Sequence, residues 1–353
     1  MTVASSDCIA IILVNYNGAA DTIECLESIR RMNKPGGGVI VYVVENASLD
    51  ESLSRLQLWL EAAPGSGTAN GRRKGLEIHD SNGKMIVELL VARNNHGFAA
   101  GCNLGLSEAY KKPVVTHFWL LNNDTAVNPD AALWLLDSSK SQGDCSISGS
   151  TLVYYDNPDI VQAAGGARYL RCIGRSRHVF KMKRVSDIVE RGAPSFDYIV
   201  GASMFFSRCV LERIGYLPER YFLYAEEADW CARAREIGIR LDWARRSIVL
   251  HKEGRSSGAA ARFQRLGDEA FYFVTRNNLL YLWQRSRGFV LSASAYSLVQ
   301  ALICGLRGDH AKIAVALKAI QHFWRLRNQV EPVRLPSKND VTFEMAEKNG
   351  AGQ

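Results

Sequence analysis

Three groups of side chains have the types and spacing for chemistry. Asp124 ends the stretch Asn122-Asn123-Asp124, directly after the apolar run His117–Leu121. A carboxylate there is a hard-oxygen ligand suited to Mg²⁺ or Mn²⁺, ions that bridge diphosphate oxygens while keeping several waters. The competing reading is an Asx turn or helix cap before Pro129. Glu226, Glu227 and Asp229 crowd an expected helix start beside Tyr221, Phe222, Tyr224 and Trp230. Acids favour a helix N-terminus, and Asp229 can pair with Arg233 one turn on. Adjacent like charges repel, so the Glu226–Glu227 pair is better explained by one carboxylate held as a general base. His251 closes the apolar strand Ser247–Leu250. It either completes a metal site with Asp124 or is an ordinary satisfied histidine.

These residues need a scaffold that brings distant loops together. Cys8–Asn15, Val39–Glu45, Ile86–Ala92 and His117–Leu121 are short apolar, β-rich runs. They alternate with helix-like spacing over Ala20–Met32, Asp50–Glu61 and Ala99–Tyr110. That order predicts an α/β fold with a mostly parallel twisted sheet flanked by helices. Ligands bind such sheets outside the carboxyl ends of the strands. The polar segments Asn15-Tyr16-Asn17-Gly18, Glu45-Asn46-Ala47-Ser48, Asn94 to Asn103 and Asn122 to Thr125 all fall there. Turn chemistry accounts for any one of them; four at one edge suit a nucleoside diphosphate. The amide of Asn46 matches the donor and acceptor of a base edge. Gly97 and Gly101 let backbone approach a phosphate at a helix start.

The hydrophobic share is 47% and the charged share 22% over 353 residues, which excludes a disordered or collagen-like chain. A net charge of +7 does not mark a nucleic-acid binder and fits a phosphate-rich partner or an anionic membrane face. The eight cysteines contain no C-x-x-C pair and read as reduced, buried and cytosolic. The run Ile9–Val14 is too short for a signal peptide, so a cytoplasmic location is expected. The sequence holds no G-x-G-x-x-G after a strand, no P-loop and no H-E-x-x-H, so dehydrogenase, P-loop and zincin readings drop out. Ala62–Lys84 reads as a surface loop or short hairpin, and Gly165–Arg191 as an irregular β excursion.

From Arg262 the pattern turns helical, over Phe263–Arg285, Phe289–Leu306 and Ala311–Leu326. The expected division is a catalytic unit at 1–260, a helical C-terminal extension at 261–327 and a polar, mobile tail at 328–353. Phe289–Leu306 is barely long enough to span a bilayer, and a buried or interfacial helix is the preferred reading. Ile313, Leu317, Ile320 and Trp324 share one helical stripe beside Lys312, Lys318, Arg325 and Arg327. A peripheral membrane contact at the inner face of the plasma membrane, packing on the catalytic unit, and a homo-oligomer contact all suit that stripe.

VNYNG (14–18), VENASLDES (44–52), NNHGFAAGCNLGL (94–106), FWLLNNDT (118–125), VGASMFFSR (200–208), GYLPERYFLYAEEADWCARAREIG (215–238) and VLHKEGRSSG (249–258) occur in that order. Together they resemble glycosyltransferase family 2 on the Rossmann-like GT-A fold, in particular its rhamnosyltransferase-like branch. Coverage runs from Ile9 to Asn278, and TRNNLLYLW (275–283) extends it. The resemblance implies an inverting transfer from a nucleoside-diphosphate sugar, dTDP-rhamnose by its branch, to a glycan or lipid-linked glycan at the cell surface. It places base and ribose near Asn15, Tyr16, Asn17, Glu45 and Asn46, with Ser48, Asn94, Gly97, Asn103, Asn123 and Asp124 completing the donor site. Asp124 matches the last acid of the family's D-x-D-like motif for a divalent cation; with one carboxylate there, His251 or waters would have to complete the metal site. Glu227 matches the family's catalytic base, with Glu226 and Asp229 beside it.

Three departures stand out. Glu45 replaces the usual Asp, Asn-Asn-Asp leaves one carboxylate in the metal motif, and Glu226-Glu227 replaces Glu-Asp. A non-catalytic nucleotide-sugar-binding regulator or partner subunit with the same fold is the alternative.

Overall fold

A computed structural model of the protein describes residues 7–62, 66–67, 75–143, 145–188, 190–192, 194–252, 266–329 and 331–337. Its first half comprises β1 (Ile9–Asn15), α1 (Ala19–Arg31), β2 (Val39–Glu45), α2 (Ser52–Ala62), β3 (Ser66–Gly67), β4 (Gly75–Asp80), β5 (Gly83–Val91), α3 (Phe98–Tyr110), β6 (His117–Leu121), β7 (Thr125–Val127) and α4 (Ala131–Ser141). There follow β8 (Ser146–Tyr154), β9 (Asn157–Ala164), β10 (Gly166–Leu170), β11 (Arg175–His178), β12 (Tyr198–Ile199), β13 (Ser203–Ser207), α5 (Arg208–Ile214), α6 (Glu226–Glu236) and β14 (Arg240–His251). Three helices close the described chain: α7 (Asp268–Arg285), α8 (Val290–Leu306) and α9 (Ala311–Leu326).

Among the described residues the main sheet runs β3-β4-β5-β2-β1-β6-β13-β8-β14-β7, with β9 also on β8. Its central block, β5-β2-β1-β6, is parallel, as the strand–helix alternation requires. β13 enters antiparallel between β6 and β8, and β14 then lies parallel to β8. The expected β excursion is a small antiparallel sheet, β11-β10-β12.

β1 shows why a continuous apolar run is needed at the centre. Ile9, Ile11 and Leu13 face the layer containing α1, α2 and α4, while Ala10, Ile12 and Val14 face α3. Every residue of β1 is buried, and each large aliphatic side chain so buried contributes roughly 1.5–3 kcal/mol. α3 lies close on this face because Gly101 and Gly105 present no side chain. A Cβ on Gly101 would sit 2.8 Å from Val14 Cγ1, and one on Gly105 2.7 Å from Ile12 Cγ2. Gly101 therefore serves helix–sheet packing, which corrects the expectation that it opens room for a phosphate.

Other expectations are revised by packing. Cys145 and Cys209 form a disulfide, against the reading that all cysteines are reduced; pairing of β13 with β8 brings these two remote positions together. The tail is held at 331–337. Glu331 accepts the N–H groups of Glu219 and Arg220 at 3.0 and 2.9 Å, and Tyr216 N–H donates to the Arg334 carbonyl at 2.9 Å. Residues 330 and 338–353 of the tail lie outside the described residues, as do 253–258 of the seventh motif and 63–65 and 68–74 of the expected loop at 62–84. Where that loop is described it becomes the hairpin β4–β5.

Candidate active site

The carboxyl edge of the central strands gathers most of the polar residues singled out above. At the end of β1, Asn15 is fully buried and accepts the Thr22 hydroxyl at 2.8 Å while donating to Ser48 Oγ at 3.2 Å. Asn123 donates to the same Thr22 oxygen at 2.9 Å, which ties the loop after β6 to the loop after β1. Asn17 takes a left-handed turn, φ 52°, that asparagine tolerates. Its N–H donates to Ser48 Oγ at 2.9 Å, and its side chain accepts Leu49 N–H at 2.8 Å. The buried Glu45 carboxylate accepts Ser48 N–H at 2.9 Å. Asn15, Asn17, Glu45, Ser48 and Asn123 thus brace one another across three loops.

Groups with spare capacity stand beside that brace. Tyr16 is 37% exposed, and Asn94 is exposed. Asn46 donates to Asn95 Oδ1 at 3.1 Å and to the Gly97 carbonyl at 3.3 Å, yet its own Oδ1 is buried with no partner among the described residues. An unpaired buried acceptor costs about 1–3 kcal/mol, so a ligand N–H at this position would recover a real penalty. Asn95 also accepts Gly97 N–H at 2.9 Å. It lies in the motif but was not singled out from sequence.

Asp124 and His251 meet where β6 and β14 end. Their Oδ1 and Nε2 are 3.2 Å apart, and both side chains are nearly closed off from solvent. His251 Nδ1 lies 2.7 Å from Gln162 Oε1 on β9. The imidazole is thus held from both sides, by Gln162 Oε1 at Nδ1 and by Asp124 Oδ1 at Nε2. Asn122 Nδ2 is 3.4 Å from the same nitrogen. A carboxylate with an oriented imidazole suits Mn²⁺ or Mg²⁺ bound with waters and diphosphate oxygens. No group of three or more His, Cys, Asp or Glu ligands converges among the described residues. Two protein ligands therefore fit only an ion shared with a substrate. Gln162 was missed from sequence, although a polar residue between the buried Val161 and Ala163 is a readable signal.

The acid pair sits at the first turn of α6. Glu226 is buried, Glu227 is half-buried, and the Oε2 of each lacks a partner among the described residues. Burial pushes the Glu227 carboxyl up from 4.5 to about 7. Burial, and then the neighbouring Glu227 charge, push Glu226 well above the usual carboxylate range. The chain reaches this turn through an unusual approach. Phe222, Tyr224 and Ala225 all have positive φ, at 66°, 69° and 75°, an arrangement that costs about 1–3 kcal/mol per non-glycine residue. Asn277 of α7 holds it in place. Its Nδ2 lies 2.6, 2.6 and 3.2 Å from the carbonyls of Tyr221, Leu223 and Tyr224, while Arg276 donates to the Tyr221 carbonyl at 2.9 Å. The resemblance extended to this segment, but nothing in the sequence assigned it that task.

Two contacts put the acid pair and the Asp124–His251 pair on one edge. A Cβ on Gly201 would lie 3.9 Å from the Glu227 side chain, and the next residue, Ala202, accepts the N–H of Asn122 at 3.0 Å. On the other side, Phe98 N–H donates to the Phe222 carbonyl at 2.7 Å. Gly97, φ 94°, is needed there because a Cβ would fall 2.2 Å from that oxygen. Its role is close approach to protein backbone.

Two residues singled out from sequence are not brought into this group. Asp229 bonds Arg285 at 2.7 and 3.2 Å and accepts Tyr221 Oη at 3.2 Å. The Asp229 charge acts on Arg233 one turn on, as the i, i+4 spacing predicts, but the Arg233 guanidinium donates its hydrogen bonds to the carbonyls of Ile214 and Tyr216. Asn103 accepts Leu217 N–H at 3.0 Å and donates to the Leu217 carbonyl and Glu219 at 2.9 and 2.8 Å. It anchors the segment that leads into the strained approach.

No protein-family model matches the chain. The low-salt glycan biosynthesis hexosyltransferase Agl10 of Haloferax volcanii is 24% identical over 247 residues, 70% of this chain and 68% of that protein. The fold is shared with the mannosyltransferase PcManGT from Pyrobaculum calidifontis, solved with GDP-Man and Mn²⁺, at TM-score 0.50 and 13% identity over 92% of this chain and 76% of that one. It is shared also with GalNAc-T7, solved with UDP, GalNAc and Mn²⁺, at TM-score 0.56 and 12% identity over 93% and 59%. The α/β architecture is therefore that of glycosyltransferases, and the chain is a glycosyltransferase homologue.

Proposed function

We propose that this protein is an inverting glycosyltransferase that moves a sugar from a nucleoside diphosphate to a hydroxyl of a glycan acceptor. The observation that carries the reading is the convergence on one sheet edge of the Asp124–His251 pair, the unpartnered Asn46 oxygen and the raised carboxyl of Glu227. Asn46, with Tyr16 and the braced Asn15–Ser48 loop, holds the nucleoside. Asp124 and His251 would hold a divalent cation, which when bound offsets negative charge on the diphosphate. Glu227 faces the acceptor: its carboxylate takes the hydroxyl proton as the acceptor oxygen bonds the anomeric carbon. The bond from that carbon to the diphosphate oxygen breaks, and its electron pair leaves with the nucleotide. A base that titrates near 7 is ionised often enough at neutral pH and still binds a proton well. Within this reading dTDP-rhamnose is the donor, on the strength of the motif resemblance, and a cell-surface glycan is the acceptor.

A thermal-shift panel of dTDP, UDP and GDP and their sugars, with and without Mn²⁺ or Mg²⁺, tests the proposal, because at a fixed ligand concentration stabilisation rises with the logarithm of affinity. Metal-dependent stabilisation by one nucleotide, together with sugar transfer that Glu227→Gln slows by roughly 10²–10⁴, is the expected result. Nucleotide binding without transfer to any glycan acceptor would favour the non-catalytic regulator.

A further inference from the structure

We propose that α8 seats this protein on an anionic lipid surface, lying in the plane of the membrane. The outward face of α8 is Leu291, Ala295, Val299, Leu302 and Leu306, spaced three or four residues apart along its whole length. Leu291 is 74% exposed, Val299 50%, Leu302 52% and Leu306 89%. Singly exposed leucines are ordinary; a continuous apolar stripe is what binding surfaces show.

The opposite face of the helix is already in use. Val290, Ala293, Ser297, Ala301 and Cys304 are buried. A Cβ on Gly174, in the turn before β11, would touch Ala293 at 3.1 Å, and Gly305 meets Ile313 of α9 in the same way at 3.0 Å. Arg287–Leu306 is long and apolar enough to cross a bilayer by length and composition. Crossing would strip this inner face from the protein, whereas lying flat keeps it packed and buries only the outer stripe.

Charge selects the surface. Residues 286–329 contain six Lys or Arg and one acid, Asp309; Lys312 is buried and paired with Asp268 and Asp309, which leaves five cations outside the core. Arg287 and Arg307 flank α8, and Lys318 and Arg325 are exposed on α9. Arg327 lies 4.8 Å from the Trp324 ring centre, and Trp324 is itself 39% exposed. Exposed apolar residues flanked along the chain by cations and an exposed tryptophan suit acidic headgroups over acyl chains. A second copy of the chain would set the same cations against one another.

Vesicle flotation of the full-length protein tests this without reference to Asp124 or Glu227. The protein should float with vesicles containing phosphatidylglycerol and stay behind with phosphatidylcholine alone. Leu302→Asp with Leu306→Asp should abolish flotation while leaving the melting temperature unchanged, because both side chains face outward. Lys318→Gln with Arg325→Gln should weaken it roughly thirtyfold, the effect of two cations near a charged surface. Equal partition into both vesicles, flotation that survives the Asp pair, or a soluble dimer that the Asp pair dissolves would overturn the proposal.

Discussion

Replacing Asn277 by alanine removes the amide that holds the approach to the acid pair. Its two N–H groups serve three carbonyls, and its own Oδ1 accepts Arg276 Nε at 2.8 Å, which fixes the orientation of the amide. Losing two hydrogen bonds at a fully buried position, with a small cavity left behind, should cost about 2–4 kcal/mol. The consequence extends beyond stability. Phe222, Tyr224 and Ala225 keep their positive φ only while their surroundings hold them, and relaxation of any one shifts the first turn of α6 and moves Glu227 away from Gly201. Sugar transfer should therefore fall by more than the loss of folded protein explains, while stabilisation by the nucleotide persists. Asn277→Asp should be worse than alanine, since it points a carboxylate at three carbonyl oxygens. Urea unfolding paired with single-turnover transfer, at a temperature where the variant is folded, separates the two effects. A variant within about 0.5 kcal/mol of wild type, turning over normally, would refute the clamp.

Glu227→Gln should lower transfer by roughly 10²–10⁴ and leave nucleotide binding intact. In the wild type, transfer should rise with pH through about 7, where the Glu227 carboxyl ionises. Stability should run the opposite way, because an acid whose folded value is raised is favoured by low pH. The fold weakens as pH climbs from the ordinary 4.5 towards about 7, and Glu227→Gln should flatten that slope in pH-dependent denaturation. Gln162→Leu should weaken the Mn²⁺-dependent thermal shift by about 10–100-fold in metal affinity, because it frees the imidazole that Asp124 needs beside it. His251→Ala should remove the shift altogether. Gly97→Ala forces a Cβ into the Phe222 carbonyl at positive φ and should cost about 2–4 kcal/mol in urea unfolding.

The parallel block was legible because burial on both faces leaves a plain mark: β2 and β6 have the bounds their apolar runs predict. Helix α9 likewise begins at Ala311 and ends at Leu326, as its periodicity requires. The antiparallel insertion of β13 was not legible, since strand order depends on pairing partners far apart in the chain. The same holds for Cys145 and Cys209, whose separation of 64 residues gives no hint of contact. Within the site, residue type pointed to the right edge of the sheet but not to what each side chain touches. Asp229 looked like a third acid for the Glu226–Glu227 pair, yet Arg285 on α7 draws it away. Gln162 and Asn277 act through neighbours, so their own short segments carry only faint signs of it.

Asn277 and Arg285 both stand on α7, beyond any boundary that composition would draw at residue 260. A fragment ending there would keep every sheet residue named above and still lose the two contacts that shape the first turns of α6. The same dependence bears on chimaeras. Exchanging the last three helices with those of a relative, in order to redirect where the protein docks, would also retune the acid pair unless the graft begins after Arg285.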